Sequence, residues 1–105
     1  MKDDFEDEYK DRDNWIGYDY RKMVIDLEHG REIEFTCNNK EFGIFKGPKG
    51  PGGWEFAMAK PEHKMLIVNC RNVHDLIKNI RIDGKTLEEL FRDNELTEKN
   101  IIHIF

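Results

Sequence analysis

The sequence contains no serine. That absence removes serine hydrolases and every serine-acylation mechanism. Cysteine is nearly as scarce: Cys37 and Cys70 are the only two in 105 residues. A secreted domain of this size that depended on disulfides would usually carry four or more. Both are therefore read as reduced thiols, with one long-range bridge as the lesser alternative. No apolar run approaches the ~20 residues of a membrane-spanning helix. The N-terminus is acidic, where a secretion signal would be basic and then apolar. A cytoplasmic protein with no membrane contact is expected.

The motifs of catalysis and metal binding are missing as well. His29, His63, His74 and His103 stand apart, with no HExxH and no cysteine pair at zinc-finger spacing. A zinc site from Cys37, Cys70 and two histidines would require the fold to gather distant strand ends. Cys70 precedes a helix start at Asn72, which could favour its thiolate slightly, but a small half-buried residue is the plainer reading. Carboxylates abound, yet nothing marks a pair with divergent pKa values in a cleft. The glycine-rich stretch 43–53 matches neither GxxxxGK[ST] nor GxGxxG. It connects strand to strand, so no helix N-terminus awaits a phosphate. No catalytic residue, metal ligand or cofactor is expected, and a small metal- or cysteine-dependent enzyme is the weakest alternative.

What the chain does have is charge, unevenly placed. Charged residues make up 37% of it and aromatics 11%, polar for one globular domain but too aromatic for wholesale disorder. Residues 1–20 hold eight acids and three bases, a balance of −5 that equals the net charge of the whole chain. The other 85 residues carry fourteen of each sign. The acidity belongs to an N-terminal arm, residues 1–17, preceding a neutral domain at 18–105. Lys46 and Lys49 make a mildly positive tip on the glycine-rich loop. Nucleic-acid affinity rests on many phosphate contacts, and a neutral domain with an acidic arm offers no basic face for them.

Hydrophobic periodicity predicts an α+β domain. Tyr20, Met23, Val24 and Leu27 recur at helical spacing over 18–28, and His29-Gly30 supplies a helix end. Arg31–Thr36 and Glu41–Ile44 alternate around Asn38-Asn39, a pair tolerant of positive φ. A two-residue turn there sets Phe35 against Phe42 and Ile33 against Ile44 on one buried face. Residues 47–53 form a loop, and Trp54, Phe56 and Met58 alternate on a third strand. Met65–Cys70 reads as a fourth, more buried strand. Asn72 caps a helix carrying Val73, Leu76, Ile77 and Ile80. Thr86 and Glu89 form a capping box for another. Ile101–Phe105 is a terminal strand or a docked tail. The expected architecture is a four-stranded antiparallel meander with an N-terminal helix and two short C-terminal helices on one sheet face.

The strings Leu27–Phe35, Lys40–Ile44, Gly53–Phe56 and Ile82–Leu90 together resemble small proteins of Gram-positive prophages and mobile elements. The resemblance covers about residues 20–93. Its motifs are structural, so it carries over no functional residue, and the glycine-proline insertion before Trp54 is longer than that family's pattern. It implies a setting in which short acidic proteins inhibit host defence, anti-CRISPR proteins among them.

A run of carboxylates can compete for a basic groove that normally holds nucleic acid, and aromatic anchors amid charge are what binding segments use. The expected function is non-enzymatic inhibition by binding a larger host protein through a basic surface, such as that of a CRISPR effector nuclease. The expected contact residues are Asp3, Asp4, Phe5, Glu6, Asp7, Glu8, Tyr9, Asp11, Asp13 and Trp15 of the arm, with Lys46 and Lys49 of the loop. A solubilising tail is the rival reading of the arm. An immunity protein that neutralises a toxin is the rival function, and homodimerisation through a sheet edge is left open.

Overall fold

The computed structural model describes residues 17–47, 53–59 and 64–105. Within them the chain is α+β, and its elements follow from local chemistry. Helix α1 spans Tyr20–Glu28. Asp19 caps it by accepting the Lys22 N–H at 2.9 Å. His29 closes it, and Gly30 turns the chain away at φ +84°, a conformation that glycine adopts without strain. Strands β1 (Ile33–Cys37) and β2 (Lys40–Lys46) form the predicted hairpin. Asn38 and Asn39 take φ of 52° and 64°, and Phe35 opposes Phe42 as Ile33 opposes Ile44. Strands β3 (Trp54–Ala59) and β4 (Lys64–Cys70) continue the meander.

Two short helices follow. Helix α2 (Val73–Asn79) starts where Asn72 accepts the Asp75 N–H at 2.9 Å. Helix α3 (Leu87–Arg92) starts on the predicted box: Glu89 N–H donates to Thr86 Oγ1 at 3.1 Å, and Thr86 N–H donates to Glu89 Oε1 at 2.9 Å. The Thr86 backbone N–H, then the Thr86 side chain, hold the Glu89 carboxyl below the usual carboxylate range.

The structure corrects two expectations. The sheet has five strands, not four, because Ile101–Ile104 forms β5 beside β1. The full antiparallel order is β4-β3-β2-β1-β5. Ile101 and Ile104 are buried while Ile102 bulges between paired residues, which hides the alternation from a sequence reader. The second correction concerns β4. It is an outer strand, and Met65, Leu66 and Ile67 are exposed rather than buried. A continuous apolar run is the pattern of a strand covered on both faces, but here it occupies an edge.

The three helices of the described residues help enclose one apolar core. Phe35, Phe42 and Phe56 stack across the central strands, and Met23, Leu27, Leu76, Leu87 and Leu90 are buried with them. Tyr20 meets Phe91 at 6.4 Å between ring centroids, joining α1 to α3.

On the opposite face Gly43 performs a different task. A β-carbon at Gly43 would overlap the Phe45 ring, which lies across the glycine. Gly43→Ala should therefore cost about 1–3 kcal/mol through overpacking, but should be neutral or slightly stabilising in a Phe45→Ala background, where strand propensity alone acts. Urea denaturation of the four proteins in this cycle should return a coupling energy of about 1–3 kcal/mol. Additive effects would show that the ring does not rest there.

Candidate functional site

Three element ends converge on one cleft. The β2–β3 pairing closes at Lys46 opposite Trp54, and Gly47 N–H donates to Gly53 C=O at 2.9 Å. The end of α1 contributes Leu27, Glu28 and Gly30; the start of α2 contributes Asn72, Val73 and His74. The resulting space is about 620 Å³, within the range of small-ligand and side-chain pockets.

Its floor is apolar: Leu27, Trp54 and Val73 are buried. Its rim carries the charge. Lys46 donates its backbone N–H to Glu32 Oε2 at 2.8 Å, which leaves the side chain to reach toward the end of α1. A β-carbon at Gly30 would lie 3.3 Å from Lys46 Nζ, so the missing side chain there lets the ammonium approach the helix C-terminus. The C-terminal end of a helix dipole favours a cation. Across the cleft, His74 Nε2 lies 3.2 Å from Glu28 Oε2, an ion pair only when the imidazole is protonated. Both side chains are largely open to solvent, so the pair contributes little to stability.

This arrangement suits a side chain with an apolar body and an anionic end. Its close titratable pair, His74 and Glu28, is open to solvent. The cysteines lie elsewhere. Cys37 opposes Lys40 at one end of the sheet, and Cys70 opposes Trp54 at the other, so the two cannot share a metal. Among the described residues, no group of three or more His, Cys, Asp or Glu is placed to hold one.

Of the expected contact residues, Lys46 falls in the cleft. Lys49 and the arm residues Asp3 to Trp15 lie outside the described residues. The arm's root is anchored: Gly17 N–H donates to Glu98 Oε1 at 3.0 Å, and the buried Tyr18 hydroxyl donates to Asp26 Oδ2 at 2.8 Å. That root sits at the start of α1 and Lys46 at its end, separated by a helix of roughly 14 Å. The described residues therefore do not bring the two parts of the expected site together. Sequence reasoning placed Trp54, Asn72 and Glu28 in their elements but missed the cleft and the role of His74. The signals were the two helix ends; their meeting at the hairpin mouth depends on tertiary packing.

Compared with family models, curated proteins and solved structures, the chain matches none. No helix among the described residues is long and apolar enough to cross a membrane.

The two thiols should behave differently. Burial, then the Glu95 and Asp83 carboxylates, push the Cys37 thiol up. The folded state thus holds this proton more tightly than the unfolded chain. Its stabilisation is fully present below the ordinary thiol range and is lost as pH rises through the raised value. At pH 8, iodoacetamide should modify the half-buried Cys70 of the native protein and leave Cys37 unmodified until urea unfolds it. Mass spectrometry of tryptic peptides reads the outcome, and rapid native labelling of Cys37 would contradict it.

Proposed function

We propose that this chain is a non-enzymatic binding protein that blocks a basic surface of a larger protein, with phage-encoded inhibition of a CRISPR effector nuclease as its setting. The observation that carries this reading is the partition of charge. Eight acids and three bases occupy the first twenty residues, and the rest of the chain is balanced. A segment of that composition meets a basic groove as a local substitute for a nucleic-acid backbone. Phe5, Tyr9 and Trp15 supply the apolar anchors that charge alone lacks. The anchored root at Gly17 and Tyr18 supports the reading, since it ties the arm to a packed domain. The cleft beside Lys46 supplies a second contact of opposite charge at the other end of α1.

The test is capture by the immobilised full chain from a lysate of a Gram-positive host, with the retained protein identified by mass spectrometry. A protein with a basic nucleic-acid groove should be retained at low ionic strength and released as salt rises, because exposed charges are screened. Removal of residues 1–14 should abolish retention, and Trp15→Ala should weaken it about tenfold or more, as expected of an aromatic anchor. Retention that survives the deletion would overturn the proposal.

A further inference from the structure

Asp83-Gly84 is the only place in the chain where an aspartate or asparagine precedes a glycine. That pairing carries its own chemistry. Glycine lacks the side chain that would shield its backbone nitrogen, so the nitrogen can attack the carboxyl of the preceding aspartate. A bond forms from Gly84 N to Asp83 Cγ, and the amide proton leaves with the carboxyl hydroxyl as water. The product is a five-membered cyclic imide. Water then opens the imide at either carbonyl, which returns aspartate or yields isoaspartate, whose backbone runs through the β-carbon. Nothing is oxidised or reduced, and water is the only co-reactant.

The fold places this pair at the tip of a tight turn. Ile82 N–H donates to Lys85 C=O at 3.0 Å, and Lys85 N–H donates to Ile82 C=O at 3.1 Å. Asp83 and Gly84 take φ of 52° and 81°, the signature of a type I′ turn. Both residues are exposed, and a β-carbon at Gly84 would meet nothing within 4 Å. Neither burial nor crowding therefore protects them. Conformation does. The first central residue of a type I′ turn has ψ of about +30°, which holds the Gly84 nitrogen beside the Asp83 nitrogen and nearly opposite the β-carbon. Ring closure requires it on the β-carbon side.

The turn is anchored unevenly. Its flanks are secure, since Ile82 is buried and Lys85 bonds to both Asp93 and Glu95. At its tip, Asn38 Nδ2 donates to Asp83 Oδ2 across 45 residues of sequence. Asn38 itself sits at the tip of the β1–β2 hairpin with φ of 52°. Two tight turns thus meet end to end, and this side-chain bond holds the reactive carboxyl to the neighbouring turn.

We propose that Asp83-Gly84 is a conformation-gated isomerisation site and that Asn38 is the side chain that restrains it. Isoaspartate inserts a methylene into the backbone of the turn. The Ile82–Lys85 pairing then cannot close in its present register, and the Lys85 contacts with Asp93 and Glu95 are lost with it.

The experiment incubates the full chain at physiological temperature and neutral pH for several weeks. Isoaspartate is counted by isoaspartyl methyltransferase labelling and located by electron-transfer mass spectrometry. A peptide of residues 79–88 gives the rate without the fold. The folded chain should react roughly tenfold or more slowly than the peptide, because the reaction waits on local opening of the turn. Asn38→Gly removes the amide but tolerates positive φ, and should raise the folded rate about fivefold, the worth of one ordinary hydrogen bond. Asn38→Asp, which cannot donate when ionised, should act in the same direction. Val24→Ala, at a partly buried position of α1, lowers global stability and should leave the rate unchanged. Urea denaturation shows that each variant is folded. The proposal is overturned if the peptide forms no isoaspartate, or if the folded chain reacts as fast as the peptide. It is equally overturned if both Asn38 variants keep the original rate, or if Val24→Ala accelerates the reaction as much as they do.

Discussion

Three phenylalanine rings, one from each of the central strands, set the geometry on which everything else rests. Phe42 lies between its neighbours, with ring centroids 5.8 Å from Phe35 and 5.4 Å from Phe56, and the planes are within 28° of parallel. Such pairs contribute about 0.5–1.5 kcal/mol each beyond the area they bury. Their larger effect is on register. A slip of one residue in any of the three strands would turn Glu34, Glu41 or Glu55 toward the core in place of a ring. The stack thus selects one pairing among the alternatives, and the three helices close over the surface that this pairing creates.

That constraint explains which parts of the fold the sequence revealed. The β1–β2 hairpin was legible because three signals agreed: alternation on both sides, an Asn-Asn turn, and aromatic partners in register. The caps at Asn72 and Thr86 were legible because each is a local exchange of hydrogen bonds within four residues. The edges were not. β5 pairs with β1 across more than sixty residues of chain, and its bulge breaks the period that would mark it. In β4, Met65-Leu66-Ile67-Val68 has no alternation, and a short apolar run does not say whether a neighbour lies on one side or two. The cleft was illegible for a similar reason. Leu27, Lys46, Trp54 and His74 belong to four separate elements and meet only after the sheet and helices have packed.

The electrostatics of the domain are mostly local. Lys85 bonds to both Asp93 and Glu95, and Arg92 pairs with Asp93 and Glu89. Arg92, then Lys85, hold the Asp93 carboxyl below the usual range, while Glu95, then Asp93, raise Lys85. These side chains are each open to solvent over a third or more of their surface, and their pairing contributes little to stability. Their consequence is for the outer field. Opposite charges paired within a few ångströms cancel beyond the Debye length, so the domain projects little charge into solution. The first twenty residues hold eight acids against three bases, so their sequence cannot balance itself in the same way.

The two ends of the sheet extend the same logic from charge to backbone. A five-stranded open sheet must leave two rows of backbone groups without strand partners unless something covers them. The C-terminal segment becomes the outer row beside β1, and its brevity, bulge and histidine make that row a poor template. β4 on the other side is longer, and its residues Met65, Leu66 and Ile67 are apolar and exposed. The two outer strands thus differ in length and in the apolar surface that they expose.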